Sequence, residues 1–210
     1  TRQHIALLKE ANTFTITTGH QLNLFTGPLY FLYKIVSTIN LAKELKAAYP
    51  DYNFIPVYWM ATEDHDFEEI NYFNFKNKKI KWNKESHGPV GRLSTEGLEN
   101  VFDVFSKELG IGDHAEYLRQ LFKNAYLKQD NLADATRFLA NELFREQGLV
   151  IVDSDNASLK KLFVPYLKKE LLEQYAFGKV TETAGLLKSY MVQVNPREIN
   201  LFYIEDNLRE

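Results

Sequence analysis

Three acids and a histidine stand in one run at Glu63, Asp64, His65 and Asp66. Carboxylates this close repel one another and shift each other's pKa. That suits them to general acid/base work, or to holding an amine or a metal. Helix capping is the plain alternative: Asp64 or Asp66 can cap a short helix whose first turn Glu68 and Glu69 would favour. A cap needs one acid, and here there are three. His20, His65 and carboxylates could together ligate a metal, but neither HxH nor HExxH spacing occurs, so no metal is expected.

A second polar group lies in "TTGHQLNLFTGPLY", residues 17–30. Gly19 and Gly27 would let backbone N–H groups approach an anion. A helix entering at Pro28 would point its positive end at the same place. His20, Gln21, Asn23 and Thr26 supply polar side chains around it. The stretch is neither a P-loop nor GxGxxG, and an ordinary glycine-bearing turn would also account for it. A third group, Asp153 to Asn156, follows the apolar "LVIV". Asp155 suits a helix cap there, and Asp153 is the better candidate for ligand contact. His4, His87 and His114 show no partner in the sequence and read as surface residues.

These groups need a scaffold to bring them together. "TFTITTG" alternates like a strand. "LYFLYKIVSTINLAKELKAAY" carries apolar residues at helical spacing, and "NFIPVYWMA" is a near-continuous apolar run expected of a buried parallel strand. Residues 13–60 therefore read as a βαβ unit. "GLVIVDSDN" is a further buried strand. In an open parallel sheet ligands bind beyond the carboxyl ends of the strands. If the three strands are parallel neighbours, the three polar groups converge on one crevice.

Between these strands, "YFNFKN" and "KKIKWN" predict a solvated β-hairpin. Residues 95–109 and 113–147 predict helices with breaks at "GIGD" and "KQDN". A short helix is expected over 4–12, and helices over 157–174 and 178–190, with Pro165 marking a kink or boundary. Late strands are expected in "YMVQVN" and "INLFYIE". The organisation is an α/β core over 1–70, an inserted hairpin and helical connecting region over 71–147, and a resumed core over 148–210. The start at Thr1 without Met and the close at Glu210 read as a chain truncated at both ends.

The 210 residues are 45% hydrophobic and 14% aromatic, enough for a proper core. The net charge of -3 gives no general pull toward nucleic acid or anionic membrane. No apolar run reaches the length of a membrane span. The chain has no cysteine, which removes disulfides, thiolate metal sites and cysteine nucleophiles and fits a cytoplasmic protein.

The pair "TTGHQLNLFTGPLYFLYKI" and "PVYWMATEDHDFEEIN" resembles the bacillithiol biosynthesis cysteine-adding enzyme family, BshC. "GLVIVDSDNASLKKLF" and "QVNPREINLFYIED" are similar to that family's later segments, so the resemblance covers nearly the whole chain. It implies a Rossmann-like core similar to nucleotidyltransferases and class I aminoacyl-tRNA synthetases. It implies a ligase that adds cysteine to the glucosamine amine of glucosaminyl malate, with ATP and Mg²⁺ as the cofactor such cores use. Thr17–Thr18–Gly19–His20 falls where the synthetases have H-x-G-H, with Thr17 in place of the first histidine, and no KMSKS loop is present. A coiled coil beyond the core would make the full-length protein a homodimer.

Weighing the chemistry of that reaction, Asp64, His65 or Asp66 would take the amine's proton. His20 and the amides at Gly19 and Gly27 would face negative charge. Lys34 or Arg197 would meet the substrate carboxylates. Gln21, Asn23, Thr26, Glu63 and Asp153 complete the expected binding residues. The competing functions are another nucleotidyltransferase-like enzyme on the same core and a non-catalytic binding domain.

Overall fold

The computed structural model describes residues 1–205 and the backbone of Leu208 and Arg209. Strand β1 (Thr13–His20) and strand β2 (Asn53–Met60) pair in parallel over their full length. Strand β5 (Val150–Asp153) pairs in parallel with the other edge of β2, giving the order β1-β2-β5. The α/β, Rossmann-like class expected from the sequence is thus the one observed. The register places His20, Met60 and Asp153 in one row at the carboxyl edge. The three polar groups therefore leave the sheet side by side, because each strand hands its chain to a polar loop there, but the cleft beside the β2 exit is lined by neither the first group nor the third.

Helix α2 (Tyr30–Ala48) makes the crossover and buries Phe31, Ile35, Thr38, Ile39 and Ala42. Phe31 meets Tyr58 edge-on at 5.5 Å between ring centroids. Burying side chains of this size contributes roughly 1.5–3 kcal/mol each, so α2 fixes the side of the sheet it covers. On the opposite face Leu7 of helix α1 (Arg2–Leu7) packs against Ile55, Val57 and Val150. Helix α1 is shorter than the expected 4–12, since the chain turns at Leu8.

After β2 come a single helical turn, α3 (Phe67–Ile70), and the hairpin of β3 (Tyr72–Phe75) and β4 (Lys78–Lys81). Lys76 and Asn77 both have positive φ, the conformation that a two-residue hairpin turn demands. Phe73 and Ile80 point inward and the lysines outward. Helices α4 (Leu98–Glu108), α5 (Asp113–Tyr126) and α6 (Leu132–Phe144) follow, separated near the two expected breaks. Hairpin and helices share one core with Tyr58, Met60 and α2.

The chain divides into two compact units, Thr1–Asp155 and Asn156–Glu210. The second holds helices α7 (Ala157–Glu173) and α8 (Tyr175–Leu186) and a two-residue pairing of β6 (Ile204–Glu205) with β7 (Leu208–Arg209). Several expectations change here. Helix α7 runs through Pro165 without a boundary. Its cap is Asn156, which accepts the Ser158 and Leu159 N–H groups, and not Asp155. "YMVQVN" forms no strand, and "INLFYIE" contributes only its last two residues to one. Both stretches alternate poorly and lie beside Pro196, whose missing N–H interrupts a ladder.

Candidate functional site

The turn after β2 carries the acid–imidazole group. Asp64 Oδ1 accepts the backbone N–H groups of His65 (2.7 Å) and Asp66 (3.2 Å). Its side chain therefore folds the turn onto itself, in the manner of an Asx turn. Asp64 Oδ2 accepts from Gln21 Nε2 at 2.9 Å, and the same nitrogen donates to Glu69 Oε2 at 2.8 Å. One neutral amide from the β1 exit thus clamps two carboxylates of the β2 exit. Burial opposes charge on Asp64, but the Gln21 amide, the two backbone N–H groups and His65 together hold its pKa below the usual value. Asp66 occupies the cap position of α3 but makes no side-chain cap bond.

His65 lies between its neighbours. Its Nδ1 is 3.7 Å from Asp64 Oδ1 and its Nε2 3.5 Å from Asp66 Oδ1. Nδ1 is buried and has no hydrogen-bond partner. Asp64, His65 and Asp66 can bring one ligand atom each within 4.8 Å of one another, which is metal-binding spacing. Of these three side chains, Asp64 is already used by the turn itself. A cleft of about 780 Å³ opens beside this turn, lined by His65, Asp66, Glu68 and Glu69 on one side and by Lys84, Ser86 and His87 on the other. His87, which the sequence leaves on the surface without a partner, thus forms a wall of the cleft facing the acids. No local pattern marks it; only the hairpin brings it there.

The β1 exit differs from its expected form. The strand expected in "TFTITTG" is there and runs one residue further, so Thr17 to His20 are its last four residues and the loop begins at Gln21. Gly19 is a strand residue whose added Cβ would meet only ordinary contact, 3.8 Å from the Trp59 carbonyl. Lys34 donates to the Gly19 carbonyl. The Gly27 N–H is committed to the Leu24 carbonyl at 2.7 Å, so it does not face an anion. Gly27 is required for another reason: at φ +45° a Cβ would lie 2.2 Å from Asn23 Cβ. Helix α2 has no side-chain cap, so no side chain hydrogen-bonds the N–H groups at its positive end.

His20 still reaches that end. Its ring meets Tyr30 at 5.7 Å and Phe31 at 5.6 Å, both edge-on, and its Nδ1 lies 3.1 Å from the Gln21 carbonyl. Burial lowers the His20 pKa; the Gln21 carbonyl opposes that shift, Lys34 adds to it and Asn23 opposes it weakly. The buried Asn23 faces this ring, yet its Oδ1 meets no donor at hydrogen-bonding geometry. Thr26 Oγ1 donates to the Phe25 carbonyl at 2.6 Å.

The third group is a structural lock. Asp153 Oδ1 accepts from Thr62 Oγ1 (2.6 Å) and the Asp155 N–H (3.1 Å), and Oδ2 accepts from Arg137 (2.9 Å). Asp155 takes a bidentate pair from Arg92. The expected ligand contact at Asp153 is therefore already occupied by the chain itself. Gly91 sits against Thr62 so closely that a Cβ would lie 2.6 Å from Thr62 Cβ. Glu63, on the same turn, faces Arg92. Arg197 belongs to the second unit, where its guanidinium lies over the Phe202 ring at 5.4 Å.

Two expected results follow from this geometry. Thr62→Val strips partners from Asp153, Ser154 and the Asp155 N–H, and costs about 1–3 kcal/mol, read from urea unfolding. The second concerns pH. Asp64, with a lowered folded pKa, stabilises the fold above its unfolded value and loses that contribution as pH falls through the folded value. His20, also lowered, charges more readily when unfolded, so it too favours unfolding as pH falls below about 6.5, the ordinary imidazole value. Thermal midpoints should thus fall on the acid side. Gln21→Leu should move the Asp64 titration upward in a carboxyl NMR experiment.

The chain matches the family model "Bacillithiol biosynthesis BshC, N-terminal Rossmann-like domain" over residues 1–210. It is 70% identical over 210 residues to a protein of Flavobacterium johnsoniae, covering all of this chain and 40% of that protein. It is 57% identical over 216 residues to one of Christiangramia forsetii, again all of this chain and 40% of the relative. To a protein of Staphylococcus saprophyticus it is 32% identical over 225 residues, 99% of this chain and 41% of the relative. Each relative bears, provisionally, the name cysteine ligase BshC. The chain spans about 40% of the length of these relatives.

Proposed function

The chain belongs to the BshC family of bacillithiol biosynthesis, as its N-terminal Rossmann-like domain, and from that premise we propose that its parent protein is a ligase. The parent joins the carboxyl of cysteine to the glucosamine amine of glucosaminyl malate. The observation that carries the reading is the acid–imidazole turn at the carboxyl edge of β1-β2-β5, opening on a cleft large enough for a sugar-sized substrate.

In this reaction the amine nitrogen attacks the carboxyl carbon, a C–N bond forms and a C–O bond breaks. The amine must shed a proton. Asp64 is a poor acceptor, because Gln21 and two backbone N–H groups hold it ionised. An imidazole is the side chain best matched to proton transfer near neutral pH. His65 is therefore the base, with Asp64 and Asp66 flanking the imidazolium that results. Glu69 and Asp66 hold the incoming amine by charge. Lys34, held at the Gly19 carbonyl on the neighbouring strand β1, meets a substrate carboxylate.

Carboxyl activation is what ATP with Mg²⁺ supplies when bound. The uncapped start of α2 fits a phosphate group; Gly27, with its N–H already used, does not contribute. Among the described residues no helix is long and apolar enough to cross a membrane.

The test is incubation of the full-length parent with cysteine and glucosaminyl malate, with and without ATP and Mg²⁺, followed by mass spectrometry. The expected product has the summed substrate masses less one water. No condensation in any lane, with nucleotide turnover on another small molecule, would favour a different nucleotidyltransferase-like enzyme.

A further inference from the structure

Phe25, Thr26 and Gly27 have φ of 50°, 66° and 45°, three consecutive residues in the left-handed region. Two of them carry side chains, for which this conformation is strained. Such a run persists only where its surroundings hold it. The holding group comes from far along the chain. Tyr126, at the end of α5, is fully buried, and its hydroxyl oxygen accepts the Phe25 N–H at 2.9 Å. The Phe25 ring stacks on Tyr126 at 4.7 Å and 15°, and on Phe73 of the hairpin at 4.8 Å and 19°. Phe105 and Phe122 close the remaining sides.

The loop so pinned starts at the β1 exit. Its first residue is Gln21, which clamps Asp64 and Glu69. Asn23 faces the His20 ring, and the loop's far end delivers the chain to α2. We propose that Tyr126 is a positioning residue for the site. Its hydroxyl holds the left-handed turn at Phe25–Gly27, and that turn sets the reach of Gln21 to the acids. The helical region between β2 and β5 thereby acts on a site to which it contributes no side chain from α5. The kinetic part of this inference rests on the ligase reading; the structural part does not.

Tyr126→Phe in the full-length protein tests it. The variant keeps the ring and removes only the acceptor. Phe122→Leu serves as the control, because it trims the same aromatic cluster and leaves the Phe25 N–H bond in place. Hydrogen exchange at residues 21–27, thermal midpoint, and kcat and KM are read for both. Tyr126→Phe should speed exchange across 21–27 and lower kcat about ten- to hundredfold, with a rise in the pH at which the low-pH limb of the profile falls as Asp64 loses its clamp. Phe122→Leu should lower the midpoint and leave the loop exchange and the pH profile unchanged. Exchange at 21–27 unchanged in Tyr126→Phe, or altered equally in both variants in step with their midpoints, would overturn the inference. Should wild type show no ligation, the ligase reading fails, and the exchange comparison still decides the role of Tyr126.

Discussion

His65→Ala in the full-length protein should slow amide formation by about 10²–10⁴-fold, the span that a positioned general base contributes. Stability should change little, since the imidazole makes no hydrogen bond within the fold and is partly exposed, at 32% of its side chain. Asp64→Asn differs in kind. The amide retains a carbonyl oxygen for the backbone N–H groups, but its NH₂ opposes the Gln21 NH₂. This variant should lose both activity and some stability, and the acid limb of the stability curve should flatten. Steady-state rates with urea midpoints on the same preparations distinguish the two patterns.

Phe25→Ala should be the most damaging single change to the fold, at roughly 3–5 kcal/mol. The ring is 5% exposed and touches four other aromatic rings. Deleting it leaves a cavity between the hairpin, α5 and the β1 exit. A loss that large is a substantial part of the 5–15 kcal/mol by which domains are stable. Denaturant unfolding should show a lower midpoint with an unchanged slope. Cavity-filling at the same position, as in Phe25→Leu, should recover part of the loss. Since Leu lacks the stacking faces, recovery should be incomplete.

The sheet was readable in advance because its strands are strongly patterned. "TFTITTG" alternates, "NFIPVYWMA" is apolar almost throughout, and a helical period that begins after Pro28 joins them; these local signals agree with the observed β1, α2 and β2. The acid–imidazole turn was readable because four polar residues in a row after a buried strand have few other uses. What escaped depends on partners distant in sequence. Asp153 looks like a ligand residue until Thr62 and Arg137 are seen to occupy its oxygens. Gln21 reads as a substrate contact, and its two carboxylate partners lie 43 and 48 positions away. His87 becomes part of a cleft wall only when the hairpin folds back. Gly27 reads in the sequence as an anion-binding glycine; its necessity is the positive φ and the crowding by Asn23. Strand ends are less sharply marked: the alternation stops at Gly19, whereas pairing with β2 carries the strand to His20.

The claim at the centre of this account is that the turn Asp64–His65–Asp66 is where the amine reacts. Its most direct measurement compares wild type with the Asp64→Asn, His65→Ala double variant of the full-length protein, supplied with cysteine, glucosaminyl malate, ATP and Mg²⁺. Product is followed by mass spectrometry, and the fold of each is checked by near-ultraviolet circular dichroism. The account predicts the condensation product from wild type and none from a folded double variant. A folded double variant that forms product at the wild-type rate would contradict it and move the chemistry away from the β2 exit.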